Sequence, residues 1–381
     1  MIYLDTAATS FPKPKTVLYS VNSALQNFGA NPGRSGYKMA IDTTEMIYKT
    51  RKSVSDFFGL EKEENVSFTL NCTFALNMVI KGLLKKGDHV VISSLEHNAV
   101  MRPLEKLKEI GVSYTIAKVF PENNDETVNS FRKAFRENTK LVIATHASNV
   151  WGIRLPIERI AALCHIYEIP ILVDCAQSAG YLPIDIQKMG IDYVCAPGHK
   201  GLYGPMGTGI LIAKNFDKLE TIIEGGTGTN SLSLIQPLNM PERFESGTVN
   251  VPGILGLGAG INFVNKKGIE NIQNHGIELT KIIYDELYGR KEFILYAPRP
   301  SAETSVPTIS FNVRGSSSEE IALKLAKNDI AVRAGLHCAP MAHEFYDTLD
   351  IGAVRVSPSV FTTKKDIYTF LNTLMYIVKK H

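Results

Sequence analysis

Five short apolar runs, each leading into a polar group and several of them separated by helix-like stretches, constrain this chain more than any other feature. Val66-Ser67-Phe68-Thr69 leads to Asn71-Cys72-Thr73, and Val90-Val91-Ile92 leads through Ser93 and Ser94 to Glu96-His97. The run 141–145 leads to His146-Ala147-Ser148-Asn149. Ile171-Leu172-Val173 ends in Asp174 with Gln177 three residues on, and Tyr193-Val194-Cys195 ends in Ala196-Pro197-Gly198-His199-Lys200. Between them, Leu76, Val79, Ile80, Leu83 and Leu84 form a 3.6-residue stripe stopped by Lys85-Lys86-Gly87. Strands are expected over 89–93, 113–119, 141–145, 171–175, 193–196 and 209–213, with helices over 99–110 and 157–167. Strands alternating with helices imply βαβ units and a mainly parallel sheet covered on both faces, an α/β fold. Active sites in such sheets gather at the carboxyl ends of the strands, which is where these polar groups fall.

After about Leu255 the pattern changes. A helix is expected over 269–288, strands over 293–297 and 308–313, and a helix opened by the capping box Ser317-x-x-Glu320. A strand over 330–333 and the run 353–356 precede a last helix with Ile367, Phe370, Leu371, Leu374 and Val378 on one face. The expected division is a large α/β domain over 15–255 and a smaller α+β domain made from 1–14 and 256–381.

The 381 residues carry a net charge of +3 with basic residues scattered, so neither nucleic acid nor a membrane surface is an expected partner. The start, MIYLDTAATSFPKPK, lacks the apolar core of a signal peptide, and no apolar stretch reaches the length of a membrane span; the expected location is cytoplasmic. The five cysteines are odd in number and contain no C-x-x-C pair, which argues against a disulfide framework and against a zinc site, so no metal is expected.

Taken together, the strand-end groups suit pyridoxal 5'-phosphate. Asp174 is placed to keep a ring nitrogen protonated, and Lys200 to carry the aldehyde as a Schiff base and move protons at a substrate's α-carbon. Cys72 and Thr73 at a helix N-terminus make an anion seat for the phosphate. A flat imidazole, His97, can stack on the ring, and the amides of Asn149 and Gln177 can reach its phenolic oxygen. Singly these signals carry little, because an Asp closing a strand is usually a turn or cap residue and a lone His is usually a surface group. Their weight comes from five strand ends in order. Gly225-Gly226-Thr227-Gly228 and Gly207-Thr208-Gly209 could cradle a phosphate, but tight turns are the preferred reading, since neither sits in a clear strand-to-helix turn.

With these residues in place the chain resembles the class V aminotransferases of the cysteine desulfurase and selenocysteine lyase branch. The resemblance rests on Tyr3-Leu4-Asp5-x-Ala7-Ala8, Glu96-His97, Ser148-Asn149, Asp174-x-Ala176-Gln177, Gly198-His199-Lys200, Gly247-Thr248-x-Asn250, Arg333-x-Gly335-x-His337-Cys338-Ala339 and Arg355. It covers essentially the whole chain and implies a fold type I pyridoxal-phosphate enzyme. Position by position it implies Lys200 as the Schiff-base lysine, Asp174 as the ring-nitrogen partner and His97 as the stacking imidazole. Thr73 and His199 become phosphate ligands, and Thr248 reaches the phosphate of the other subunit in a homodimer. Arg355, with Asn149 and Arg34, would bind substrate, and Cys338 would be the nucleophile.

Three positions depart from the branch's usual pattern: Pro197 where a serine is common before Gly-His-Lys, Leu336 where many relatives have a second histidine, and Gly33 in place of a histidine before Arg34. The closeness of Cys338 to its flanking strand suggests the short-loop subgroup. The implied reaction converts L-cysteine to L-alanine with a persulfide on Cys338, passed to an acceptor protein or small thiol. A nearby cation could favour the Cys338 thiolate, and His337 is a candidate, although side chains of adjacent residues can point apart. The rival readings are a selenocysteine lyase using L-selenocysteine, and an aminotransferase, racemase or β-lyase in which Cys338 is a plain loop thiol. A non-catalytic scaffold is disfavoured because Lys200 and Asp174 are both present.

Overall fold

A computed structural model describes residues 1–33 and 35–379; Arg34, expected to contact substrate, lies outside the described residues. Strands β1 (Ile2–Tyr3), β2 (Val66–Thr69), β3 (His89–Ser93), β4 (Ser113–Ala117), β5 (Thr139–Thr145), β6 (Ile171–Asp174), β7 (Tyr193–Pro197) and β8 (Gly209–Ala213) come first. They are followed by β9 (Phe293–Leu295), β10 (Ile309–Val313), β11 (Ile330–Ala331) and β12 (Val354–Val356). The helices are α1 (Lys15–Asn27), α2 (Lys38–Phe57), α3 (Cys72–Leu83), α4 (Asn98–Lys108), α5 (Asn124–Ala134) and α6 (Ile157–Ile166). After them come α7 (Val251–Lys267), α8 (Ile269–Leu287), α9 (Ser318–Ala326), α10 (Pro340–Glu344) and α11 (Lys364–Lys379).

Seven strands make one sheet in the order β2-β8-β7-β6-β5-β3-β4. Only β8 runs against its neighbours, pairing antiparallel with both β7 and β2. Every other pairing is parallel. The apolar runs of the sequence are continuous because both faces are covered, and the two-residue period sorts them. Val91, Val142, Ala144, Ile171, Val173, Val194 and Ile210 join one buried cluster, while Val90, Ile92, Leu141, Ile143, Leu172, Cys195 and Leu211 join the other with α3 and α4.

A third cluster lies around the small sheets β12-β10-β9 and β1-β11. In it Leu4 packs with Leu279, Ile283, Phe311, Ile330, Val354, Phe370 and Leu374, so the N-terminal strand is built into the C-terminal part of the chain. The Ser317 N-cap forms as expected, its hydroxyl accepting from the Glu320 N–H at 3.1 Å at the start of α9. Among the described residues no helix is long and apolar enough to cross a membrane.

Helix α7 is the element that local propensity hides, with Gly253, Gly256, Gly258 and Gly260 in its first ten residues. Glycine is required there by close approach: a Cβ on Gly260 would sit 2.2 Å from the Leu202 carbonyl oxygen, and one on Gly256 2.7 Å from Val21. The helix thereby lies flat on the turn that follows Lys200. It also runs unbroken through Leu255, the position at which the sequence changes character. Helix propensity alone would make Gly260→Ala stabilising by about 1 kcal/mol. The backbone contact reverses the sign, and we expect a net loss of roughly 1–3 kcal/mol, seen as a lower midpoint in urea or thermal unfolding.

Candidate active site

Register places the chemistry. Thr145 of β5 lies opposite Asp174 of β6, which lies opposite Cys195 of β7, so three carboxyl ends form one row. Asp174 shares the parity of Leu172 and so faces the α3 side of the sheet. There its Oδ1 accepts from the Ala176 N–H at 2.9 Å and lies 3.6 Å from Cys72 Sγ. The residue is 3 % exposed, and among the described residues no cation is bonded to it. Burial pushes its carboxyl up, with the Ala176 N–H and the Lys200 charge opposing.

Lys200 is set by the chain leaving β7. Gly198 is tied to Thr208, its N–H donating to that carbonyl at 2.9 Å, and the Lys200 carbonyl accepts from Tyr203 at 2.9 Å. Burial pulls the Lys200 ammonium down, reinforced by Arg355 and Arg333 and opposed by Asp174. The carbonyl of His199 receives the Ser10 N–H at 3.0 Å and Lys13 Nζ at 2.9 Å, and His199 Nδ1 is 3.0 Å from Thr9 Oγ1. Pro197 closes β7 opposite Gly209. A Cβ on Gly209 would meet the Asn71 carbonyl carbon at 2.4 Å, so glycine here lets β8 pass close to the start of α3. That start is capped by Asn71, whose Oδ1 accepts from Phe74, with exposed Thr73 beside it. The first N–H groups of any α-helix lack intrahelical partners and attract anions.

His97 is the N-cap of α4, its Nδ1 accepting from the Ala99 N–H at 3.0 Å, and burial with nearby cations holds it neutral at about 4. Its neighbour Glu96 is fully buried. Oε1 takes the Ser93 hydroxyl at 2.5 Å and the Thr145 N–H at 2.7 Å, which ties the ends of β3 and β5 together.

Arg355 of β12 is 1 % exposed; its Nη2 pairs with Asp5 at 2.6 Å and its Nη1 donates to the Asn149 carbonyl at 2.9 Å. Its Nε is buried without a partner among the described residues. Asn149 Nδ2 donates to the His337 carbonyl at 2.8 Å and Gln177 Nε2 to the Ala7 carbonyl at 3.0 Å, so each amide gives one hydrogen to the backbone.

Cys338 is exposed, on a turn whose Cys338 carbonyl accepts from the Asn98 N–H at 2.8 Å, immediately beside His97. The cation at this thiol is not His337. That ring turns inward to His343, is 3 % exposed, and burial pushes it down to about 2, so it carries no charge. Arg333 takes the place instead, its Nη2 donating to Cys338 Sγ at 3.8 Å. Leu336 is exposed, and the second imidazole near His337 comes from α10 rather than position 336. Gly33 has φ of 71°, a conformation histidine rarely takes.

Thus Asp174, Lys200, His97, Cys72, Thr73, His199, Asn149, Gln177, Arg355 and Cys338 converge on one edge of the sheet and the C-terminal part facing it. Thr248 stands apart, exposed and bonded through Oγ1 to Asn31 at 3.3 Å. Sequence reasoning gave no role to Asp5, Arg333 or His343. Asp5 and Arg333 sit inside quoted motifs, whereas His343 had no local signal.

Similarity to known proteins agrees with this arrangement. The family model for aminotransferase class-V matches residues 2–370. A probable cysteine desulfurase of Methanothermobacter thermautotrophicus is 32% identical, the match covering 98% of this chain and 94% of the relative. A cysteine desulfurase of Escherichia coli is 30% identical over 99% of this chain and 93% of its own. The apo structure of a cysteine desulfurase from Thermococcus onnurineus superposes with a TM-score of 0.91 at 32% identity, covering 100% of this chain and 95% of that one.

Glu96 yields a pH test. Burial raises its carboxyl to about 8, above the unfolded value, so the protonated form is favoured in the fold. Its stabilising share is complete below the unfolded carboxylate range and is lost as pH rises through about 8. Glu96→Gln keeps the Oε1 acceptor and cannot ionise. We expect it to match wild type near pH 5 and to exceed it at pH 9 by about 1–4 kcal/mol, read from unfolding midpoints across pH.

Proposed function

The chain belongs to the class V aminotransferase family, and on that premise we propose that it is a pyridoxal-phosphate-dependent cysteine desulfurase. The residues fit the cofactor on their own terms: a buried carboxylate with no bonded cation, a lysine amine pulled toward neutrality, a neutral imidazole and an open helix N-terminus share one strand edge. When bound, pyridoxal phosphate supplies an electron sink that labilises bonds at an amino acid's α-carbon. Lys200 would hold it, with Asp174 at its ring nitrogen, His97 on its face, and Asn149 and Gln177 at its ring oxygen. Cys72, Thr73 and His199 would hold its phosphate, with Thr248 contributed by a second copy.

The chain's own groups then divide the work. Arg355 binds the substrate carboxylate, and its unpartnered Nε supports this, since Nη1 and Nη2 already have partners. Lys200 Nζ moves the proton at the substrate's α-carbon. Cys338 Sγ forms a bond to the substrate sulfur as the carbon–sulfur bond breaks, so that L-cysteine and the thiol become L-alanine and a persulfide. The observation that carries this reading over a plain aminotransferase is the exposed Cys338 thiol with the Arg333 guanidinium against it, beside His97. Exposure lets an acceptor protein or small thiol collect the sulfur. A homodimer is supported by exposed Thr248 and by the exposed apolar Leu232, Leu234, Ile235 and Leu238 in the same long segment. The separate apolar cluster that includes Leu4 supports a division into a large domain over 15–255 and a small domain made from 1–14 and 256–381.

Cys338→Ala is expected to retain cofactor and bind L-cysteine while losing alanine and persulfide formation. Both products are measured from L-cysteine and from L-selenocysteine, and near-normal alanine from L-cysteine in the variant would remove Cys338 from the chemistry. Retention of the selenocysteine reaction alone would favour a selenocysteine lyase. Arg355→Lys keeps a cation for Asp5 but lacks Nε, so it is expected to keep the cofactor's colour and lose roughly 1.5–3 kcal/mol of productive substrate binding in kcat/KM. An unchanged kcat/KM would move the carboxylate site elsewhere.

A further inference from the structure

The turn that carries Cys338 adopts a backbone that side chains disfavour. Gly335, His337 and Cys338 have φ of 92°, 52° and 56°, and the last two are not glycine. Strained backbone of this kind persists where its surroundings over-determine it. Two of the restraints are hydrogen bonds to the turn's carbonyls, from Asn149 Nδ2 to His337 and from the Asn98 N–H to Cys338, both 2.8 Å.

The third restraint is a pair of imidazoles. The rings of His337 and His343 lie parallel, 7° apart, with centroids separated by 5.6 Å, and His337 Nδ1 is 3.3 Å from His343 Nε2. His343 is fully buried, its Nδ1 2.8 Å from Thr348 Oγ1 and its ring 5.3 Å from that of Trp151. Trp151 is itself anchored, Nε1 donating to the Ala342 carbonyl at 2.7 Å. The chain of bonds is satisfied when Thr348 gives its hydroxyl hydrogen to the His343 carbonyl at 3.2 Å and accepts from His343 Nδ1–H. His343 Nε2 then accepts from His337 Nδ1–H. Burial holds both rings neutral, His337 at about 2 and His343 at about 4, so the pair brings no charge to the thiol beside Arg333. What it supplies is position.

We infer that the His337–His343 pair braces the Cys338 turn, which makes His343, a side chain bonded among the described residues to His337 and Thr348 and packed on Trp151, a positioning residue for the thiol. This rests on the reading of Cys338 as the sulfur-accepting nucleophile. A braced turn also means that the thiol is in place before substrate arrives, and that an acceptor must come to Cys338 at the surface.

The test uses holoenzyme of wild type, His343→Ala, His343→Gln, Thr348→Val and Cys338→Ala. It measures kcat and KM for L-cysteine, cofactor content, and affinity for L-alanine by spectral titration, since L-alanine has the carboxylate and amine but no sulfur. His343→Ala is expected to lower kcat about ten- to a hundredfold, with cofactor content, KM and L-alanine affinity nearly unchanged. His343→Gln, whose amide oxygen can accept from His337 Nδ1–H, should recover most of the loss. Wild-type kcat in His343→Ala overturns the inference. So does a loss shared with cofactor content and L-alanine affinity that glutamine does not rescue, because that marks mere support of the fold. Should His343→Ala not fold, Thr348→Val decides: a kcat lowered a few-fold with the same split supports the brace, and an unchanged kcat overturns it. Full alanine formation by Cys338→Ala overturns the nucleophile reading instead, whatever the His343 result.

Discussion

The buried guanidinium of Arg355 is the contact on which the site's assembly depends. It reaches from β12 to Asp5 near the N-terminus and to the Asn149 carbonyl after β5, joining three segments distant in sequence. A charge this deeply buried is costly unless bonded, and removing one partner of such a pair is far more damaging than replacing the pair as a whole. Asp5 therefore does two things at once. It supplies the counter-charge, and it fixes the plane of the guanidinium so that Nε is left over for another acceptor. The residues that follow Asp5 extend the same linkage, Ala7 to Gln177 and Ser10 with Lys13 to the His199 carbonyl. The first thirteen residues thus brace the candidate site from outside the large sheet.

Burial tunes the groups at the sheet edge in opposite directions. It raises Asp174 and Glu96 and lowers Lys200, His97 and His199, which brings the lysine toward a nucleophilic amine and keeps the imidazoles neutral. Burial pulls the Arg355 guanidinium down as well, but an arginine starts so high that it keeps its charge when desolvated. Arg333 lies against the Cys338 thiol and Arg355 against the Asp5 carboxylate. Neutral histidines contribute shape and hydrogen bonds around them.

Much of this was legible in the chain before the fold. The β3 and β8 strands fall where apolar runs predicted them, because strands buried on both faces need uninterrupted apolar residues. Asp174, Lys200 and His97 were readable because a parallel sheet delivers whatever follows each strand to one edge. Helices α1, α2, α5, α7 and α10 were not legible in the sequence. In α7 the glycines that depress local propensity are tolerated only because Leu202 and Val21 pack where side chains would have been. The candidate cation His337 points away from the thiol, since adjacency in sequence does not fix which way a side chain turns when its backbone enters the left-handed region.

The sequence by itself determined the α/β class and the row of strand-end groups, because these depend on residue type and on the two-residue period of a strand. Tertiary structure alone decided which cation meets Cys338, which carboxylate holds Arg355, and that His343 stands behind His337. Those pairings join residues that no local periodicity links. They are set by how the C-terminal sheets dock on the large one, and that docking depends on packing shape and buried charge rather than on any run of sequence.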